Sequence, residues 1–184
     1  KNSNVIGIGI IRGNIFASYG KNFSEENLLS LYSDIICKLI KRGYEVKLFT
    51  NGYSGDIAFG NKLLDSLEKI YVKIEFLEPA QNAEMLVEQI SRFKGIITAR
   101  LHSCIVAYSL DIPMVAISWT NKVRNFMTLV GEPHLAVDMG DLNSEYMVDL
   151  FEKKMCTPYS EEIRSRLDDT VYKEMKYIKS FAKS

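Results

Sequence analysis

The 184-residue sequence has few cysteines and no apolar run long enough to span a bilayer. Its three cysteines, Cys37, Cys104 and Cys156, are far apart, so no pair has the short spacing of a zinc or redox motif. We expect them to be small, reduced core residues in helices, as in a cytoplasmic protein. The sequence also shows no signal peptide, which favours the same location.

The sequence has no excess of charge of either sign. Lys plus Arg and Asp plus Glu both total 23. Proteins that bind nucleic acid or membrane surfaces carry a basic excess, so neither partner is expected. No His, Asp or Glu cluster has the spacing of metal ligands, and we expect no metal and no cofactor. An anion site would have to come from a local group of basic residues.

Apolar runs alternate with helical patterns along the whole chain, which indicates one α/β domain over residues 1–184. Ser24 is typical of an N-cap and Gly43 of a helix-ending glycine. The predicted strands are 4–11, 44–50, 72–77, 95–98, 114–118 and 135–137. The predicted helices lie between Ser24 and Gly43 and at 56–69, 83–92, 100–110, 122–130, 144–155 and 158–181. Together they predict a Rossmann-like, doubly wound parallel sheet of about six strands.

The last predicted helix is unusually long for a small domain. It carries one apolar stripe, formed by Ile163, Leu167, Val171, Met175 and Ile178. Two interpretations stay open, since the stripe can pack on this sheet or on a partner domain. The chain opens almost directly on a strand and without Met, and we expect it to be a fragment cut at a domain boundary.

Basic residues follow several predicted strands, at the edge where open α/β sheets bind ligands. Arg12 follows the first strand, Asn51 the second, Arg100 and His102 the fourth, and Lys122 the fifth. Because the strands are expected to be parallel, these residues should meet at one edge and form an anion site. A structure that placed His102 and Lys122 at opposite edges would contradict this.

Each of these residues also has a plainer interpretation. Arg12 alone is most often a solvated loop residue, and Lys122 is easily exposed. His102 starts a helix, where the helix dipole disfavours a charged imidazole, and it can be a hydrogen-bonded polar residue. The only other histidine, His134, is expected to be structural or exposed.

The segment from Gly95 to Gly131 is the most specific part of the sequence. A short apolar strand leads into Arg100-Leu101-His102, a second strand ends in Ser118, and the pair Lys122-Val123 follows. This arrangement resembles the signature of the polysaccharide pyruvyl transferase family. The first strand, ending in a pocket arginine, also resembles that family.

Two positions depart from the pattern of the family. Trp119 stands where the family usually has Tyr, and Thr120 stands where an acidic residue is frequent. These departures affect the fine shape of the pocket rather than the anion site.

The resemblance implies a transferase that moves a pyruvyl group from phosphoenolpyruvate onto a saccharide acceptor as a ketal, in polysaccharide biosynthesis. It implies the C-terminal, donor-binding half of a GT-B-like enzyme, whose own N-terminal acceptor domain is absent here, so that the fragment alone is inactive. The implied catalytic residues are His102, Arg100 and Lys122. The implied substrate-binding residues are Arg12, Asn51, Ser103 and Ser118.

Three other functions remain open. A GT-B nucleotide-sugar glycosyltransferase binds its donor at the same edge, but it usually has a carboxylate near the helix where this chain has Asn121 to Arg124. A non-catalytic binding domain can retain the same fold. A dinucleotide-binding domain fits least, because Gly7 and Gly9 lie inside the predicted strand rather than after it.

Overall fold

The computed structural model describes residues 4–18 and 23–181, with side chains for 4–16 and 23–176. The strands are β1 Val5–Gly9, β2 Glu45–Phe49, β3 Glu75–Phe76, β4 Gly95–Thr98, β5 Met114–Ser118 and β6 Ala136–Asp138. The helices are α1 Ile15–Ser18, α2 Glu25–Lys41, α3 Ser54–Glu68, α4 Ala83–Ser91, α5 Leu101–Ser109, α6 Asn121–Leu129, α7 Ser144–Met155 and α8 Glu161–Phe181. Short 3-10 helices at Pro133–Leu135 and Met139–Asp141 flank β6.

The six strands form one parallel sheet in the order β3-β2-β1-β4-β5-β6, so the predicted Rossmann-like fold is confirmed. The central strands are buried on both faces, which explains their continuous apolar runs. The chain reverses direction across the sheet between β1 and β4. Loops after these two strands therefore diverge and leave a crevice at the C-terminal edge, which is the edge where all strands end.

Helices cover both faces of the sheet. Helix α2 contacts α3 and α7 on one face, while α5 contacts α4 and α6 on the other. Helix α2 begins at the predicted cap, because the Ser24 hydroxyl accepts a hydrogen bond from the Asn27 N–H. It ends before Gly43, whose φ of 87° few other residues tolerate.

Charged side chains join α2 to α7. The Arg42 guanidinium donates hydrogen bonds to the carboxylates of Glu145, Asp149 and Glu152, and Lys38 also bonds Glu145. The Lys38 ammonium group, and to a smaller extent the Arg42 guanidinium group, hold the pKa of Glu145 below its usual value. The helix that follows β6 is thereby held on the face of the sheet that α2 occupies.

Several predicted boundaries were wrong for local reasons. The third strand shrinks from 72–77 to two residues, because the Val72 N–H bonds the Leu67 carbonyl and belongs to the turn that ends α3. Helix α1 was not predicted. Helix α8 begins at Glu161 rather than 158. Tyr159, in the segment before this helix, is buried, and its hydroxyl donates to the Ile112 carbonyl.

The cysteines are only partly as expected. Cys104 is buried, and burial raises the pKa of its thiol to about 12. Cys37 is half-buried, but Cys156 is exposed and follows the last residue of α7, so the prediction of a core position was wrong there.

The stripe on α8 divides between packing and exposure. Ile163 and Leu167 are half-buried, whereas Val171 and Met175 are exposed, and the side chain of Ile178 lies outside the described part. Packing on this domain therefore accounts for only the first half of the stripe. No helix within 4–18 and 23–181 is long and apolar enough to cross a membrane.

Glycines in β1 make room for neighbouring side chains. A Cβ at Gly7 would lie 2.5 Å from the ring of the buried Phe93, and a Cβ at Gly9 would overlap Thr98. Both glycines lie inside the strand, as expected, and their role is close packing rather than the binding of a dinucleotide phosphate.

We predict that Gly7→Ala lowers the free energy of unfolding by about 1–3 kcal/mol, because the added methyl group overpacks the core against Phe93. Urea denaturation measures the change. Gly140→Ala is the matched control, since a Cβ there meets nothing within 4 Å. An equal effect of the two substitutions would contradict the packing role.

Candidate active site

A buried carboxylate lies at the centre of the C-terminal edge. Asp56, in the first turn of α3, is fully buried. It accepts hydrogen bonds from the Arg12 N–H at 2.8 Å, from the Thr50 hydroxyl at 3.4 Å and from Nε of Arg100 at 2.9 Å. Nη2 of Arg100 bonds the same carboxylate. One side chain thus connects the loops that follow β1, β2 and β4.

The two arginines meet at an exposed aromatic ring. Nη1 of Arg12 donates to the Tyr53 hydroxyl at 3.0 Å. The guanidinium carbons of Arg12 and Arg100 lie 5.5 and 5.6 Å from the centroid of the Tyr53 ring, within the range of cation–π attraction. Nε of Arg12 is buried and has no hydrogen-bond partner in the described part of the chain. This group of Arg12, Arg100, Tyr53 and Asp56 is called the arginine cluster below.

Sequence reasoning missed two members of the arginine cluster. Asp56 was expected to open a helix, where an acidic residue is favourable on its own. Its fully buried side chain, bonded to a residue 44 positions away, has no signature in the sequence. Tyr53 lies between Gly52 and Gly55, and an aromatic residue within such a turn after a strand was the available signal.

In the described part of the chain, His102 is not in contact with the arginine cluster and lines a separate cleft. It is the exposed second residue of α5 and lines a cleft of about 340 Å³ between α4 and α5. The other lining residues are Asn51, Ala80, Gln81, Asn82, Ala83, Leu86, Ile105 and Val106. Buried Ser103 donates a hydrogen bond to the Asn51 side chain at 2.8 Å, which joins the start of α5 to the loop after β2.

Ser118 and Lys122 lie at the ends of the next elements. Ser118 is buried at the end of β5 and lines a second, polar cleft of about 340 Å³. Lys122 is the exposed second residue of α6, the position that His102 occupies in α5. His102 and Lys122 are thus at the same edge of the sheet. The four basic residues do not form one contact cluster, because only Arg12 and Arg100 share contacts in the described structure.

Trp119 supports the loop that carries Arg100. Its indole N–H donates to the Ala99 carbonyl at 2.7 Å, and Ala99 is fully buried. The bond connects the end of β5 to the residue before Arg100. The position at which this chain departs from the usual Tyr therefore has a structural function.

The electrostatics suit a small anion. Two guanidinium groups and one carboxylate leave one net positive charge in the arginine cluster. Arg100 is the N-cap of α5, and its side chain accepts no hydrogen bond from the first N–H groups of this helix. Such N–H groups at the start of a helix can bind an anion. The described residues include no group of three or more His, Cys, Asp or Glu side chains able to hold a metal ion.

Comparison with known families identifies the chain. A family model described as polysaccharide pyruvyl transferase matches residues 9–121, which is more than half of the sequence. The chain belongs to the polysaccharide pyruvyl transferase family. The match includes the segment around Arg100 and His102 as well as Arg12 and Asp56, while half of the residues that line the polar cleft near β6 lie beyond it.

The fold also has a likeness among solved structures. The E. coli ADP-heptose LPS heptosyltransferase II matches with a TM-score of 0.57 and 20% identity. The match covers 83% of this chain and 46% of that one, so the matched part is less than half of the structural neighbour. At this identity the likeness shows the fold alone. Comparison with curated protein sequences gave no match.

We predict that Trp119→Phe lowers the free energy of unfolding by about 1–2 kcal/mol, since the buried Ala99 carbonyl loses its donor. Tyr71→Phe, at a side chain that is 96% exposed, is the control and should change stability little. Chemical denaturation followed by circular dichroism measures both. Equal stability of Trp119→Phe and the unaltered chain would show that the bond contributes nothing.

Proposed function

We propose that this member of the polysaccharide pyruvyl transferase family supplies the donor site for the transfer of a pyruvyl group from phosphoenolpyruvate to a saccharide. The observation that carries the proposal is the arginine cluster at the C-terminal edge. It brings together two guanidinium groups and a single carboxylate, which pairs with only one of them, and the family assignment supports a transferase. The saccharide is held elsewhere in the complete cleft, with a further domain as the proposed partner.

Phosphoenolpyruvate matches the chemistry of the arginine cluster. Its carboxylate and phosphate both accept paired hydrogen bonds, and a guanidinium group presents donors in that geometry. The start of α5 adds backbone N–H groups beside Arg100, and Lys122 adds positive charge at the neighbouring helix.

His102 is the proposed general acid. It gives a proton to the methylene carbon of phosphoenolpyruvate, and a sugar hydroxyl attacks the adjacent carbon as that hydroxyl loses its proton. The bond from this carbon to the phosphate oxygen then breaks, and a second sugar hydroxyl closes the ketal as its proton passes to the phosphate or to solvent. The proton that the first sugar hydroxyl loses returns to His102 and restores its protonated form. Arg100 and Lys122 stabilise the negative charge on the departing phosphate.

A glycosyltransferase is the second candidate. The sequence appeared to lack a carboxylate near the helix after β5, but the structure places Asp138 beside Thr120 and Asn121 in the polar cleft. Such a carboxylate could bind ribose hydroxyls. Oδ2 of Asp138 is paired with the Arg124 guanidinium group, which offsets its charge and leaves Oδ1 for a hydroxyl. The arginine cluster, where two guanidinium groups meet one carboxylate, favours the small anionic donor.

We predict that His102→Gln lowers turnover of the complete enzyme about 100- to 10,000-fold, with a smaller effect on donor affinity, because glutamine has no transferable proton. Arg100→Lys should first raise the KM for phosphoenolpyruvate, since an ammonium group loses paired hydrogen bonding. Steady-state kinetics with varied donor measures both effects.

The matched control is His134→Gln, which removes the only other histidine at a side chain that is 62% exposed and distant in sequence from the site. Its turnover should equal that of the unaltered enzyme. If His102→Gln kept normal turnover and only KM rose, His102 would bind the donor, and the general acid would lie elsewhere.

A further inference from the structure

The described contacts of Arg100 are divided unequally around its guanidinium group. Nε and Nη2 both donate to the buried Asp56 carboxylate. A guanidinium group carries five N–H donors, so the Nη1 hydrogens and the second Nη2 hydrogen point away from this partner. In the described part of the chain, no acceptor bonds Nη1. One side of Arg100 is therefore held by the protein, and its other end is available.

We propose that Asp56 is a positioning residue, which holds the Nε side of Arg100 so that the Nη1–Nη2 end faces the phosphate or carboxylate of the donor. The inference rests on the proposed function and adds to it a residue that acts through Arg100. Asp56 is fully buried and has no exposed surface with which to touch a donor itself.

The other contacts of Asp56 serve the same arrangement. Its Oδ1 accepts the Arg12 N–H, which fixes the backbone from which the second guanidinium extends. Burying a carboxylate costs free energy unless it is paired and hydrogen-bonded, and the three partners Arg12, Thr50 and Arg100 meet that need. Asp56 also offsets one positive charge. Because its carboxylate holds Nε and Nη2 of Arg100, the donor meets an oriented guanidinium group rather than a mobile one.

The test is a double-mutant cycle on the binding of phosphoenolpyruvate to this chain. A ¹⁵N NMR titration in the millimolar range measures each dissociation constant. Asp56→Asn and Arg100→Met should each weaken binding about tenfold. The double variant should bind no more weakly than Arg100→Met, because the amide oxygen of Asn can still accept the Arg12 N–H and the remaining effect of Asp56 acts through Arg100. Additive losses, or an unchanged dissociation constant for Asp56→Asn beside a weakened Arg100→Met, would overturn the inference.

Gly7→Ala is the control for destabilisation, because it strains the core without touching the arginine cluster. Its dissociation constant should match that of the unaltered chain. A purely structural role of Asp56 would resemble this control, with a smaller folded fraction and no change in affinity.

A second measurement needs no variant and decides the matter if Asp56→Asn does not fold. The Arg100 Nε–H resonance should exchange slowly with solvent and persist when phosphoenolpyruvate saturates the chain. Faster exchange on saturation would mean that the donor displaces Asp56, and the inference would fail while donor binding stood. No binding of phosphoenolpyruvate to the unaltered chain would contradict the proposed function and the inference with it.

Discussion

The C-terminal edge of this domain depends on one buried negative charge. The strands that end there carry their loops apart on either side of the switch between β1 and β4. Asp56 joins these loops, because its two oxygens accept bonds from Arg12, Thr50 and Arg100. A buried carboxylate without these donors would be strongly unfavourable, so the loops and the charge stabilise one another.

The same constraint links the packing to the chemistry. Gly9 of β1 lies beside Thr98 of β4 and leaves room for its side chain, so the ends of the two strands pair closely and bring Arg12 near Arg100. Trp119 then holds the residue before Arg100 from the side of β5. On the opposite flank, the bond between Ser103 and Asn51 fixes the start of α5, where His102 lies. Arg100 and His102 are thus each held in place by a contact of the adjacent residue.

The fold could be predicted from the sequence because its signals are local. Continuous apolar runs mark the buried strands, and Ser24 and Gly43 mark the ends of α2 through capping chemistry. The two-residue β3 was overestimated, since a run such as Val72 to Leu77 reads as a strand whether or not a neighbour pairs with it. Cys156 was misplaced for a related reason, because helix periodicity does not show where the last turn reaches solvent.

The candidate site could be predicted only in part. A parallel sheet brings residues that follow its strands to one edge, so the edge shared by Arg12, Arg100, His102 and Lys122 followed from topology. Which of them touch depends on side-chain directions and on the counter-charge, and neither is visible in the sequence. Asp56 pairs with a residue 44 positions away, and Asp138, the last residue of β6, pairs with Arg124 in the polar cleft. These long-range pairs decide the charge that a donor meets.

The central claim is that the arginine cluster binds a small donor with a carboxylate and a phosphate rather than a nucleotide. Titration of this chain with phosphoenolpyruvate and, separately, with a nucleoside diphosphate at equal ionic strength tests it most directly. We expect phosphoenolpyruvate to bind with a dissociation constant of roughly 1 mM, since a few exposed charge contacts give about 4 kcal/mol, and the nucleotide to bind more weakly. Tighter binding of the nucleoside diphosphate, with phosphoenolpyruvate unable to displace it, would contradict the account and favour a glycosyltransferase.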